Sequence, residues 1–293
     1  MKTWSSRLVL TAAVVAAVFF ASPADAQRRA SAQVGPNCVG GIQALFDDIE
    51  VVPLSAAEEA EVLYLREEEK MARDVYLTLA ERWQLPIFSN IARAEQKHMD
   101  LVLRLIEVYG LIDPITDDTV GVFSNTDLGM LYDDFVIAGA EDLIAALTVG
   151  ATIEDMDLAD LYDLVELTDN RHITLVAYNL AKGSRNHLRA FMRALAAQGE
   201  TYTPQYLNQE AFDAVLAADM ERRMFYDADG EPVAACGAGV GGFGTRRGSG
   251  SDGENGQGSG SGECDGSGSS GNGECDGSGS TGGRGGNGGN GDN

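Results

Sequence analysis

The stretch Ala94-Glu95-Gln96-Lys97-His98-Met99-Asp100 sets a carboxylate and an imidazole three residues apart within a run of helical period. On a heptad the surrounding seam reads Phe88, Ile91, Glu95, His98, Val102, Leu105, Tyr109, so both groups interrupt an otherwise apolar face. Upstream, the seam Val62, Leu65, Glu69, Ala72, Tyr76, Leu79, Trp83 carries Glu69 at its middle. Downstream, Ile173, Val176, Leu180, Ser184, His187, Phe191 carries His187 at mid-length. A buried carboxylate costs several kcal/mol unless it is paired or bound to metal. Three helices that each bring an ionisable group to the same depth therefore point to one shared partner. Glu-x-x-His on one helix, with a Glu from a neighbour, is the ligand pattern of di-iron and di-manganese carboxylate bundles. Oxygen and imidazole donors suit iron or manganese, and four or five of them allow a two-ion site.

A competing reading makes the same residues structural, with the core-edge arginines Arg73 or Arg104 neutralising Glu69 and Glu95. Glu68, inside the run Arg-Glu-Glu-Glu-Lys, reads as part of a solvated face with i,i+4 pairing. His172 sits beside Arg171 near a helix start and receives no role, and Tyr109 reads as core.

Long helices must position these groups. Ser55-Ala56-Ala57-Glu58 is a capping box that opens a helix to about Trp83. Pro86 suits the first turn of a second helix, which Gly110 ends after Tyr109. Asn125 or Thr126 starts a third stretch, and a segment from Ala140 to Gly150 follows it. Thr152 to Leu167 is expected as a separate shorter helix. Asp169 is expected to cap a last long helix to about Gln198, with one more over 208–223 packed outside. No alternating strand stands out. The pattern predicts an all-α bundle over 53–223, preceded by a linker at 27–52.

The ends differ in kind. Lys2 and Arg7, the apolar run Leu8 to Ala21 and the site Ala24-Asp25-Ala26 form a secretory signal, 1–26, expected to be cleaved after Ala26. The run is shorter than the roughly 20 residues of a membrane-spanning helix. The mature chain is thus expected outside the cytoplasm, periplasmic or extracellular, with no membrane anchor. Net charge is −24, which excludes an electrostatic footprint for nucleic acid and disfavours anionic membranes. Residues 224–293 read as a Gly/Ser-rich disordered tail; 25 of the 36 glycines fall after Ala235. Cys38, Cys236, Cys264 and Cys275 flank the helical part and leave their pairing open. In the tail, GAGVGG lacks the strand and helix of a dinucleotide site, and DADGE at 227–231 reads as a plain turn rather than a calcium loop.

Four segments, YLREEEKMARDVYLTL, IFSNIARAEQKHMD, GATIEDMDLADL and GSRNHLRAF, together resemble a ferritin-like domain family related to rubrerythrins and ferritins. The resemblance covers about residues 54–216. It implies a ferritin-like four-helix bundle and a non-haem di-iron centre; the helical pattern adds extra short helices, and the donor types keep manganese as the other candidate metal. Carried over by position, Glu69 is the first-helix ligand, and Tyr76 matches the tyrosine that relatives place near the metal, making it the catalytic candidate. Glu95 and His98 match the second-helix pair. Glu154 is the choice for the third-helix carboxylate, with Asp157 and Glu141 in reserve. His187 matches the fourth-helix histidine, but Ser184 stands where a glutamate is expected, which leaves a mononuclear or weakened second site open. The resemblance itself supplies no activity; the leading expectation is an exported protein, by its signal, that oxidises Fe(II) or reduces O2 or peroxide at such a centre. No CxxC pair offers an internal rubredoxin-type iron site, so an electron donor would be external. The alternative is a non-enzymatic exported scaffold with a flexible tail. Oligomeric state, including a homo-oligomer, stays open.

Overall fold

The computed structural model describes residues 41–235; the signal, the four cysteines and the Gly/Ser-rich segment beyond 235 lie outside the described residues. The described part is all-α apart from one small hairpin. Its helices are α1 Ile42–Asp47, α2 Ala56–Trp83, α3 Pro86–Tyr109, α4 Thr126–Gly139, α5 Leu143–Leu167, α6 Arg171–Ala197 and α7 Gln209–Ala217. Strands β1 Met224–Tyr226 and β2 Pro232–Ala234 pair antiparallel, Phe225 opposite Val233. None of the described helices is long and apolar enough to cross a membrane.

Local chemistry sets the boundaries. Ser55 Oγ accepts from the Glu58 amide, and Glu58 Oε2 accepts from the Ser55 amide at 2.7 Å, completing the capping box of α2. Helix α3 begins at Pro86 and stops at Gly110, whose φ of 62° suits a residue without Cβ. Asn125 caps α4. Asn170, not Asp169, caps α6, its side chain accepting from the His172 and Ile173 amides. The expected break near Thr152 does not occur, and α5 runs unbroken from Leu143 to Leu167. Gly150 lies within it, the Phe191 ring packed where a Cβ would stand, and Thr152 Oγ1 bonds back to the Thr148 carbonyl at 2.9 Å. The last expected helix ends early, at Ala217, and Glu221 turns inward to Arg185 at 2.7 Å and Arg189 at 3.2 Å. Residues 224–234, placed in the tail by composition, instead form the hairpin. Asn179 fixes it on α6, receiving the Tyr226 amide at 3.0 Å and donating to the Tyr226 carbonyl at 2.7 Å. DADGE is its turn, with Gly230 at φ 75°.

One apolar core joins α2, α3, α5 and α6, including Val62, Val75, Phe88, Leu105, Leu158, Leu180 and Phe191, each 1% exposed or less. Around it the charged run on α2 is buried, contrary to the solvated face expected for it. Arg66 forks onto Asp113 at 3.0 and 3.2 Å, and Arg73 onto Asp118 at 2.7 and 3.2 Å. Glu67 accepts from the Ser124 and Asn125 amides, Lys70 donates to the Thr119 carbonyl, and Asp74 accepts from the Gly121 amide. These charges hold the connection between α3 and α4 against α2 and satisfy its backbone.

Asp155 does the same for the segment after α6. It is fully buried and accepts from Tyr202 Oη and from the amides of Gln205, Tyr206 and Leu207 at 2.6 to 3.1 Å. Asp155→Ala would leave three backbone donors without their acceptor and is expected to destabilise the protein by about 2–4 kcal/mol. Chemical denaturation measures that loss.

Candidate metal centre

Five side chains from four helices meet at mid-height of the core. Glu69 comes from α2, Glu95 and His98 from α3, Glu154 from α5 and His187 from α6. His98 Nδ1 lies 2.7 Å from Glu95 Oε2 and 3.2 Å from Glu69 Oε2. His187 Nδ1 lies 2.9 Å from Glu95 Oε1 and 3.3 Å from Glu154 Oε2. The two imidazoles stack, their centroids 5.6 Å apart at 29°. Glu95 therefore stands between two half-sites, using one oxygen for each. Glu69, Glu95 and His98 offer three ligand atoms within 4.8 Å of one another, and so do Glu95, Glu154 and His187.

The carboxylates are 1–2% exposed, and both histidine side chains are 11% exposed. Among these five side chains the imidazoles are the more exposed edge of the centre. Tyr76 is fully buried, and its hydroxyl donates to Glu154 Oε1 at 2.5 Å, with the Gly150 carbonyl at 3.3 Å. It orients the carboxylate that faces His187.

The donor set fits a cation. Glu69 Oε1, Glu95 Oε1 and His187 Nδ1 are buried without a hydrogen-bond partner. His187 Nδ1 and Glu95 Oε1 are close at 2.9 Å, yet their geometry makes no hydrogen bond. Lone pairs that converge without bonding one another are what a shared ion requires. Three carboxylates and two imidazoles suit iron or manganese. The structural alternative does not hold: Arg73 is engaged by Asp74, Asp118 and Gln96, and Arg104 lies near Asp47 and Glu107. Among the described residues the ion pairs of Glu69, Glu95 and Glu154 are with the two histidines alone.

Protons take the place of cation charge in this arrangement. Burial disfavours both imidazolium ions, but Glu95 and Glu154 push His187 up to about 10, and Glu69 and Glu95 raise His98. Burial would raise Glu95, yet His187 and His98 hold it well below the usual carboxylate range. Burial carries Glu69 up to about 7 despite His98, and it raises Glu154 against the pull of His187.

Ser184, in the position expected for a fourth-helix glutamate, donates its hydroxyl to Asp157 on α5. Asp157, held in reserve at sequence level, is thus a buried carboxylate beside the centre, one turn from Glu154 on the same face. Glu141 is exposed ahead of α5 and takes no part. Glu68, expected in solvent, is 2% exposed and faces α5. The spacing Glu154-x-x-Asp157 repeats that of Glu95-x-x-His98 and was the available signal for Asp157; nothing in the Glu-Glu-Glu run distinguishes Glu68 as inward. His172 lies elsewhere, Nδ1 3.1 Å from Tyr109 Oη and Nε2 3.2 Å from the Phe46 carbonyl.

A family model described as Uncharacterized protein domain (DUF2202) matches residues 58–219, more than half of the chain. The chain belongs to the DUF2202 family. Uncharacterized protein MJ0754 of Methanocaldococcus jannaschii is 49% identical over 172 residues, 59% of this chain and 93% of that protein. The crystal structure of hypothetical protein MJ0754 from the same organism matches with 48% identity and a TM-score of 0.59, covering 59% of this chain and 99% of that one. The DUF2202 match contains all five converging residues and Tyr76, and it ends before the hairpin.

Within the DUF2202 domain Gly183 sets the room for His98. A Cβ there would overlap Nε2 and Cε1 of the His98 ring. Gly183→Ala is expected to push the imidazole off the Glu69–Glu95 side and to cost about 1–3 kcal/mol in stability. Thermal melting checks the stability.

Proposed function

We propose that this protein is an exported, ferritin-like metal protein whose core would hold two ions, iron by first choice and manganese by second, with Glu95 shared between the two half-sites. One observation carries the reading: Glu95 belongs to both ligand groups, with His98 and Glu69 on one side and His187 and Glu154 on the other. Export rests on the basic, apolar and Ala-x-Ala pattern of residues 1–26. A redox-active ion pair would pass electrons taken from Fe(II), or from an external donor, to O2 or peroxide as the oxidant. The chain's own residues bind, orient and shield. Glu95 spaces the two half-sites, Glu69 and Glu154 close their far sides, and His98 and His187 present Nδ1 from the solvent edge. Tyr76 holds Glu154 in one orientation and stands as the buried hydroxyl nearest the chemistry. Phe88 and Phe191 pack nearby and keep water out. An external electron donor would restore the reduced state.

The test is direct. Mature protein loaded with Fe(II) without oxygen, then dialysed, should keep two irons per chain and develop a near-ultraviolet band when air is admitted. No retained metal and no band would leave a helical scaffold instead.

A further inference from the structure

Helix α1 meets the bundle as a small, separately held piece. It has six residues, precedes the DUF2202 match and buries one large side chain, Phe46. The Phe46 ring lies against the His172 ring, their centroids 4.6 Å apart at 41°. Tyr109, from α3, meets the same imidazole edge-on at 5.7 Å. His172 is 2% exposed and stands in the first turn of α6. Elsewhere α1 holds loosely: Asp47 is exposed and 3.6 Å from Arg104, and Leu45 and Ile49 are only partly buried.

The hydrogen bonds around His172 suit a neutral ring. A carbonyl only accepts, so Nε2, 3.2 Å from the Phe46 carbonyl, carries a proton and donates it. In the neutral ring Nδ1 is then bare and accepts from Tyr109 Oη at 3.1 Å. Tyr109 Oη in turn accepts from Asn170 Nδ2 at 2.9 Å. A second proton, on Nδ1, would face the hydroxyl proton. The hydroxyl would have to turn to Asn170 Oδ1, 3.0 Å away, which already takes the His172 and Ile173 amides. The charges nearby have other partners. Arg104 lies near Asp47 and Glu107, Arg171 forks onto Asp229, and Glu58 accepts from the Ser55 amide and Thr168. Asp48 and Asp169 are exposed. Burial and the positive end of α6 disfavour an imidazolium, and the Phe46 ring face offsets part of that cost. Burial lowers the His172 pKa from its ordinary 6.5, against the pull of the Phe46 carbonyl. We propose that His172 is a pH-sensitive latch, which holds α1 on the bundle when neutral and releases it on protonation while the bundle stays folded. Once α1 leaves, the ring meets water and recovers its ordinary proton affinity. Docking is therefore at full strength above pH 6.5, weakens about tenfold per pH unit below it, and levels off at the lowered pKa of the docked ring. His172 stands apart from the five converging residues, so the latch does not rest on the metal reading.

Hydrogen exchange of the mature protein tests the latch, read by mass spectrometry on peptides covering 42–49 and corrected for the intrinsic pH dependence of exchange. Opening of α1 is expected to rise about tenfold from pH 7.5 to pH 5.5, while peptides of α5 stay unchanged. His172→Gln can donate to the Phe46 carbonyl and accept from Tyr109 without ever becoming charged, so its α1 should open equally at the two pH values. Equal wild-type opening at both pH values, or a tenfold rise that persists in His172→Gln, overturns the latch. A rise shared equally by α5 would mean that the whole bundle opens, and overturns it as well. Should His172→Gln fail to fold, titration of the wild-type His172 ring by nuclear magnetic resonance decides. A midpoint under 6.5 that moves together with the α1 amides supports the latch, and a midpoint at or above 6.5 overturns it.

Discussion

On the proposed two-ion reading, Glu95→Ala is expected to release both ions, whereas Glu69→Ala and Glu154→Ala each release one. The asymmetry follows from the distances. Glu95 Oε2 is 2.7 Å from His98 Nδ1 and Oε1 is 2.9 Å from His187 Nδ1, so this side chain alone belongs to both half-sites. Glu69 reaches only His98, and Glu154 only His187. The fold should survive, because each imidazole keeps one carboxylate neighbour and the core around Phe88, Leu105 and Phe191 is untouched. Elemental analysis of the dialysed variants reads the pattern, with circular dichroism confirming the helices. Equal losses in all three variants would show that the carboxylates act as one pool of charge, and the bridged arrangement would be wrong.

The inward polar residues were legible because a heptad seam makes a polar interruption visible. Glu69, Glu95, His98 and His187 each break a run of apolar seam positions, and all four converge. Glu154 was not visible that way. Helix α5 is buried on nearly every side, from Ala146 to Leu158 with little interruption, so no polar face contrasts with it; resemblance supplied the residue. The run Arg66 to Asp74 misled for a related reason. Charge normally marks solvent, but here the connection over 110–125 lies across the helix and offers backbone groups and acids as partners. Nothing local announces such a cover. The hairpin at 224–234 failed as a strand reading because three-residue strands carry no period. It is fixed by Asn179 and by Lys182, which donates to the Met224 carbonyl, both distant in sequence. The cap at Asn170 rather than Asp169 is a one-residue slip between two residues of equal capping preference.

Metal is expected to stabilise the protein far more at pH 8 than at pH 5, against the trend of the metal-free protein. Glu69, carried by burial from its ordinary 4.5 up to about 7, is protonated more readily when folded. Its contribution is complete below pH 4.5 and is lost as pH rises through 7, a change of about 3 kcal/mol. His187, pushed up to about 10 by Glu95 and Glu154 against its burial, acts in the same direction: its contribution is present below its ordinary 6.5 and is lost toward 10. Glu95, held down by the two imidazolium ions, works oppositely, but its contribution is already complete above 4.5. Metal-free protein should therefore melt at a lower temperature at pH 8 than at pH 5. Ions need those same atoms deprotonated, so binding displaces fewer protons as pH rises. Ligand at a thousand times its dissociation constant adds about 4 kcal/mol per site. Melting curves with and without Mn(II) between pH 5 and pH 8 should diverge steadily, and Glu69→Gln should flatten the metal-free curve while roughly halving the metal-induced shift. A metal shift that is constant with pH would mean that the ion binds away from the protons that Glu69 and His187 hold.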